Sequence, residues 1–191
     1  MHSRILFLAA LAASVSTPLF ADEFEAPLTE LAHGELAAWV ADPVIVVAVQ
    51  AQNTANASLT QAEIDGVDAA WRAEVGAAPA PMIDATLASP ASVWLRQRQE
   101  ASAGLVTEVF VMDNRGLNVA QSEVTSDYWQ GDEPKWQDTY GVSATALHIA
   151  EVELDESTQI YQSQVSMPVV DPATGAAIGA VTFGIDVSLL Q

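Results

Sequence analysis

The chain has 191 residues, with 25 Asp and Glu against 6 Lys and Arg, a formal net charge of -19 and no cysteine. Half of the residues are hydrophobic and mean hydropathy is +0.22, which is enough apolar material for one core and excludes a disordered acidic tail. The charge excludes the basic patches that nucleic acid and anionic lipid surfaces require, and the missing thiols exclude disulfide frameworks, thiol catalysis and cysteine metal sites.

Residues 1–21, MHSRILFLAALAASVSTPLFA, carry the pattern of a signal peptide. Arg4 is the basic start, Ile5 to Val15 the apolar run, and Ser16, Thr17 and Pro18 precede a cleavage point after Ala21. A retained membrane anchor is the alternative. The expectation is an exported, periplasmic domain over residues 22–191.

From Asp22 to Ala41, Phe24, Leu28, Leu31, Leu36 and Val40 recur at helical spacing. Asp42-Pro43 is an N-cap followed by a first-turn proline, and it starts a second helix even though the following Val44 to Val49 run is β-branched and favours a strand. Thr60-x-x-Glu63 is a capping box ahead of Ile64, Val67 and Trp71, with Asp68 and Arg72 on the opposite face. Ala77 to Pro81 reads as a loop, and Ser89-Pro90 opens a helix closed by Gly104.

The period then changes to two. Thr107–Met112 and Leu117–Ser122 form a hairpin around the turn Asp113-Asn114-Arg115-Gly116, where Gly116 takes a positive φ. Tyr128 to Tyr140 is a loop with a short helix. Leu147–Leu154, Gln159–Val170 and Ala177–Val187 complete a sheet, the last two joined by the Asp171–Gly175 turn. Helices followed by strands predict an α+β fold: a five-stranded antiparallel sheet, a long N-terminal helix and further helices packed on it.

The stretches VFVMDNRGLNVAQS (109–122), TSDYWQGDE (125–133) and VVDPATGAAIGAV (169–181) resemble a Cache or PDC-type sensor domain, an extracytoplasmic relative of PAS folds. The resemblance implies a PAS-like sheet whose one face binds a small molecule. Such domains usually stand between membrane spans of chemoreceptors, histidine kinases or cyclases. Here the last strand is followed by Gln191, so the expectation is a module that signals through a separate membrane-bound protein.

The candidate ligand site is Asp127 to Trp136. It places Tyr128, Trp129 and Trp136 beside Asp127, Asp132, Glu133 and the chain's only lysine, Lys135. Aromatic walls with a few polar groups suit a small-molecule pocket. Carboxylates and rings suit a cation, Lys135 suits a carboxylate, and together they suit a zwitterion. Packing of the rings on the sheet, with the charges in water, is the competing reading. Ser122 and Thr125 are rim donors, Gln162 and Gln164 share one strand face, and Asp186 stands where ligands approach in Cache folds.

Catalysis is the least supported reading, because the mature chain has only His33 and His148 and no nucleophile elbow. A Ser122, His148 and Asp127 triad can be drawn, but each histidine fits a surface or core role better. Asp132-Glu133 and Asp155-Glu156 lack the ligand spacing of a calcium loop, and no metal or cofactor is implied. Arg96 and Arg98, two apart on a helix, do not share a face. The alternative to a sensor is an envelope interaction module that dimerises through its N-terminal helix.

Overall fold

The computed structural model describes residues 21–155 and 159–190. Residues 1–20, which carry most of the signal-peptide pattern, lie outside the described residues, as does Glu156 of the Asp155-Glu156 pair.

The N-terminal helix is continuous in direction but not in winding: α1 (Ala21–Leu31) passes through a π-helical turn at Ala32–Leu36 into α2 (Ala37–Val40). Leu28, Ala32, Leu36, Trp39 and Val40 form its buried stripe. Asp42 then caps α3 (Pro43–Ala55), its Oδ1 accepting from the Val44 N–H at 2.9 Å. The β-branched run is helical because the cap and proline set its start while Ile45, Val46 and Val49 find a buried face; tertiary burial outweighs propensity. The capping box of Thr60 and Glu63 opens α4 (Gln61–Glu74) as expected.

A helix not expected from the sequence, α5 (Pro81–Leu87), follows the Ala77–Pro81 loop. Its first N–H groups, from Met82 and Ile83, are satisfied by Glu74 Oε2 at 2.8 and 3.0 Å, so the cap comes from the preceding helix and leaves no local signal. Helix α6 (Pro90–Ala101) starts at the Ser89 cap, and the chain then turns through Gly104 at φ +95.

The strands are β1 (Val106–Met112), β2 (Asn118–Gln121), β3 (His148–Ile149), β4 (Glu153–Asp155), β5 (Ile160–Val170) and β6 (Ala177–Asp186), with the short helix α7 (Pro134–Gln137) between β2 and β3. All pairings are antiparallel, in the order β2-β1-β6-β5-β3, and β4 continues along β5 beyond β3. Six segments thus occupy five positions. The expected Leu147–Leu154 strand is interrupted between Ile149 and Glu153, and the α+β, PAS-like arrangement is the one observed.

The two faces of this sheet differ in chemistry. Toward α1, α3 and α6 it presents Val109, Val111, Val165, Val169, Val181, Phe183 and Ile185, all buried, with Trp39 edge-on to Phe183 at 5.8 Å. Burial of such side chains contributes about 1.5–3 kcal/mol each and makes this the main core. Strand alternation places Glu108, Phe110, Gln164, Ser166, Thr182 and Gly184 on the other face.

Candidate functional site

The aromatic and acidic run is divided between the two sides of the sheet. Asp68 of α4 holds its first part: Oδ1 accepts the N–H groups of Tyr128 and Trp129 at 2.8 and 3.0 Å, and Oδ2 accepts from Arg72 Nε at 2.7 Å. Burial would raise this carboxyl, but the Arg72 hydrogen bond, the two backbone donors and the Arg72 charge together hold it below its ordinary value.

Tyr128 turns toward the helical layer, 5.1 Å from Trp71, and lines a 610 Å³ concavity with residues of α3 and α6 such as Ala51 and Ala91. Burial first, and then the Asp113 charge, push its phenol up to about 12. The neutral folded form is therefore favoured, and its contribution to stability is present below pH 10 and lost as pH rises toward 12. In chemical denaturation between pH 9 and 12, the fall in stability should be smaller for Tyr128→Phe; an unchanged slope would contradict the burial.

Trp129 is also structural. Its Nε1 donates to the Arg115 carbonyl at 2.8 Å, and its ring stands where a Cβ on Gly131 would lie, 2.5 Å from Nε1. Tyr128, Trp129 and Trp136 therefore do not form one aromatic wall.

Trp136 and Lys135 reach the polar face of the sheet. Trp136 packs on Phe110, Met112 and Ala180, lies 5.1 Å from Tyr140, and donates from Nε1 to the Asp113 carbonyl at 3.0 Å. Lys135 Nζ is 5.4 Å from the Phe110 ring, 2.8 Å from Glu133 Oε2 and 3.4 Å from Gln130 Oε1. Gln130, itself buried, donates to Asp127 Oδ1, and Asp127 Oδ2 accepts from Arg72 at 3.3 Å. Asp127 and Lys135 thus belong to one polar chain.

The floor under α7 is a cross-strand row. Register aligns Gln121, Phe110, Thr182, Ser166 and His148, and the Ser166 and Thr182 hydroxyls are 2.9 Å apart. At its far end His148 Nδ1 stands 3.6 Å from Asp138 Oδ2. The segment from Gly131 to Ala146 is therefore pinned across the sheet from β1 to β3.

In the next row, Gly184 leaves room for its neighbours: Gln164 Nε2 donates to Glu108 Oε1 at 3.2 Å, and Thr107 Oγ1 donates to Gln162 Oε1 at 2.9 Å. An added Cβ at Gly184 would lie 2.4 Å from Thr107 Oγ1 and 2.8 Å from Glu108 Cγ. Gln162 and Gln164 share this face, as their spacing requires.

The other expected rim donors have internal partners. Ser122 Oγ accepts from the Val109 N–H at 3.0 Å, Thr125 Oγ1 donates to the Asp127 carbonyl at 2.7 Å, and Asp186 Oδ1 accepts from the N–H and hydroxyl of Ser188 at 2.9 and 2.6 Å. The Ser122, His148 and Asp127 triad is not assembled, because each member has a different partner. Sequence reasoning missed Asp68, Gln130, Gln121 and Asn118. Gln121 and Asn118 are fully buried, and Gln121 Nε2 and Asn118 Oδ1 have no protein partner among the described residues.

No protein-family model matches the sequence, and no curated protein matches it. Solved structures of sensor domains are similar to it. They include the sensor domain of the V. cholerae histidine kinase DctB (12% identity, TM-score 0.40, 88% of this chain and 56% of that one). The sensory domain of the Campylobacter jejuni chemoreceptor Tlp3 gives 16% identity and TM-score 0.41 over 92% of this chain and 67% of that one. The ligand-binding domain of the Pseudomonas fluorescens chemoreceptor CtaA, solved with L-serine, gives 15% and 0.39 over 66% and 49%. The chain spans little more than half the length of the DctB domain and about half that of CtaA.

Proposed function

We propose that the chain is an exported, non-catalytic sensor module that binds a small polar metabolite on the polar face of its sheet, beneath residues 131–146, and signals through a separate membrane-bound protein. One observation carries this reading. The same strands that present mostly apolar side chains to the helices, with the buried Ser163 as an exception whose hydroxyl donates to the Ala150 carbonyl, present Glu108, Gln164, Ser166 and Thr182 to the other side, with Ser166 and Thr182 fully buried. A buried polar surface costs stability relative to an apolar one, so its presence points to binding. Gln121, whose Oε1 accepts from Asn118 but whose Nε2 has no protein partner among the described residues, lies at the end of the same row. The resemblance of residues 109–133 and 169–181 to Cache domains supports the same face.

Amino acids, amines and organic acids are the ligand classes to test. Lys135 is already paired with Glu133, so a ligand carboxylate must take the place of Glu133 at the ammonium. Thermal-shift screening of a panel of these compounds should give a selective rise in Tm. Gly184→Leu should abolish that rise by filling the floor, and Glu133→Gln should strengthen binding of acids by about threefold or more, because it frees Lys135. A hit that survives Gly184→Leu unchanged would place the ligand elsewhere. Dimerisation through the N-terminal helix is the alternative role; its exposed Glu23, Glu25, Glu30 and Glu35 set like charges against each other in a self-pair.

A further inference from the structure

The two edges of the sheet are treated differently. The outer edge of β2 is covered by the chain itself: the Asn118 N–H donates to the Tyr128 carbonyl at 2.9 Å, and the Gln130 N–H to the Gly116 carbonyl at 2.7 Å. The outer edge of β3 is paired with no strand among the described residues. His148 and Ala150 turn their backbone groups inward to β5, with the Ala150 N–H donating to the Gln164 carbonyl at 2.9 Å, so Ile149 turns its N–H and carbonyl outward.

A groove runs between this edge and the N-terminal helix. It consists of three concavities that share residues. One, of 310 Å³, is walled by Ala37, Val40, Ala144, Leu147 and Met167 and reaches His33. The second, of 410 Å³, runs along the helix from His33 to Glu25, and the third, also of 410 Å³, lies between Glu25 and Thr29 on one side and residues 147–151 on the other. From Glu25 to Val40 the helix spans roughly 22 Å, the length of about seven extended residues. The groove is apolar at its α2 end and acidic at the other, where Glu25, Glu30 and Glu151 are exposed and no Lys or Arg contributes to the lining.

We infer that this groove is a docking site for an extended, basic segment of a partner protein, which adds a strand to the edge of β3, places small apolar side chains against the alanine-lined end and pairs its Lys or Arg with Glu25, Glu30 and Glu151. An open edge supplies the main-chain hydrogen bonds and alternate pockets supply the selectivity. The acidic lip selects a basic strand. It also opposes a second copy of this chain, whose own edge would bring Glu151 and Glu153 against their equivalents. The groove shares Ala144 and His148 with the cover and floor of the ligand face, so the two sites are told apart by which amides a bound molecule protects.

The test uses the purified protein and a labelled heptapeptide, Lys-Ala-Lys-Val-Lys-Ala-Lys, with fluorescence anisotropy for affinity and hydrogen exchange for position. Binding is expected, with protection of the Ile149 amide. The same peptide N-methylated at alternate backbone nitrogens keeps its charge but loses its donors, and should bind at least about tenfold more weakly. The pair Glu25→Lys and Glu151→Lys should weaken the parent peptide by about tenfold, while Glu123→Lys, an exposed control away from the groove, should change it less than about twofold. Equal binding of the N-methylated peptide would reduce the effect to bulk charge attraction and overturn the proposal. Protection on the polar sheet face, or a concentration-dependent dimer that protects Ile149 without peptide, would overturn it as well.

Discussion

Asp113→Ala should lower the unfolding free energy by roughly 3–4 kcal/mol, or about 6–16 °C in Tm. The carboxylate is fully buried and collects four donors: Oδ1 accepts from the Arg115 and Leu117 N–H groups at 2.8 and 3.0 Å, and Oδ2 from Gln52 Nε2 and Asn56 Nδ2 at 3.1 and 2.8 Å. Removing it leaves several buried or half-buried donors without an acceptor, each loss costing about 1–3 kcal/mol before relaxation. The backbone carbonyl of the same residue accepts from Trp136, so the β1–β2 turn is tied to the helical layer on one side and to α7 on the other. Asp171→Ala is the control, because that carboxylate serves only the Ala173 N–H and the Thr174 hydroxyl of its own exposed turn. Its loss should cost less than about 1 kcal/mol in the same urea titration. Equal losses for the two variants would mean that the contacts of Asp113 with α3 contribute nothing.

Gly116→Ala should be the most damaging single-methyl change in the β1–β2 region. Gly116 has φ +80, and a Cβ there would lie 2.5 Å from the Gly131 Cα and 2.6 Å from its nitrogen, both backbone atoms that no rotamer change can move. Gly175 has nearly the same backbone conformation, φ +73, with nothing within 4 Å of its Cβ position. Gly175→Ala therefore carries only the left-handed cost of about 1–2 kcal/mol, and Gly116→Ala carries that plus the collision. The excess, expected to be about 2 kcal/mol or more, should be accompanied by a changed Trp129 emission, since that ring packs against both glycines. If both variants lose the same stability, the Gly116–Gly131 approach is looser than the structure shows.

These two residues also show how far local sequence reached. Asp113 and Gly116 were recognisable as turn chemistry because an Asx turn and a positive φ are properties of four consecutive residues. That Asp113 also anchors Gln52 and Asn56 was not legible, because those partners are 61 and 57 residues away and nothing in their own spacing points to a carboxylate. The caps at Asp42, Thr60 and Ser89 were legible for the same local reason. The cap of α5 was not, since its acceptor is Glu74 of another helix.

At the site, composition identified the segment but not its directions. Asp127 to Trp136 has the rings and charges of a pocket wall, yet Tyr128 packs on Trp71 and Trp129 on the glycine pair, while Lys135 and Trp136 alone cover the sheet face. Adjacent residues of an irregular segment have no fixed periodicity, so sequence could not sort their side chains between the two sides of the sheet. The polar alternation of Gln162, Gln164 and Ser166 was a usable signal, because strand period fixes that they share a face.

The amino-acid sequence by itself determined the α+β class, most of the helix starts, the hairpin turn and the shared face of the β5 glutamines, because each depends on residues within one turn or one strand. Tertiary structure alone decided the sheet order, the covered edge at β2 against the open edge at β3, and the polar chain from Arg72 through Asp127 and Gln130 to Lys135 and Glu133. The charge count follows the same division: 25 acids against 6 bases excluded a nucleic-acid surface from sequence, but only packing could show that the single lysine is already held by Glu133. Contacts between distant segments depend on how layers stack and strands pair, and such pairings leave no periodic trace in either partner.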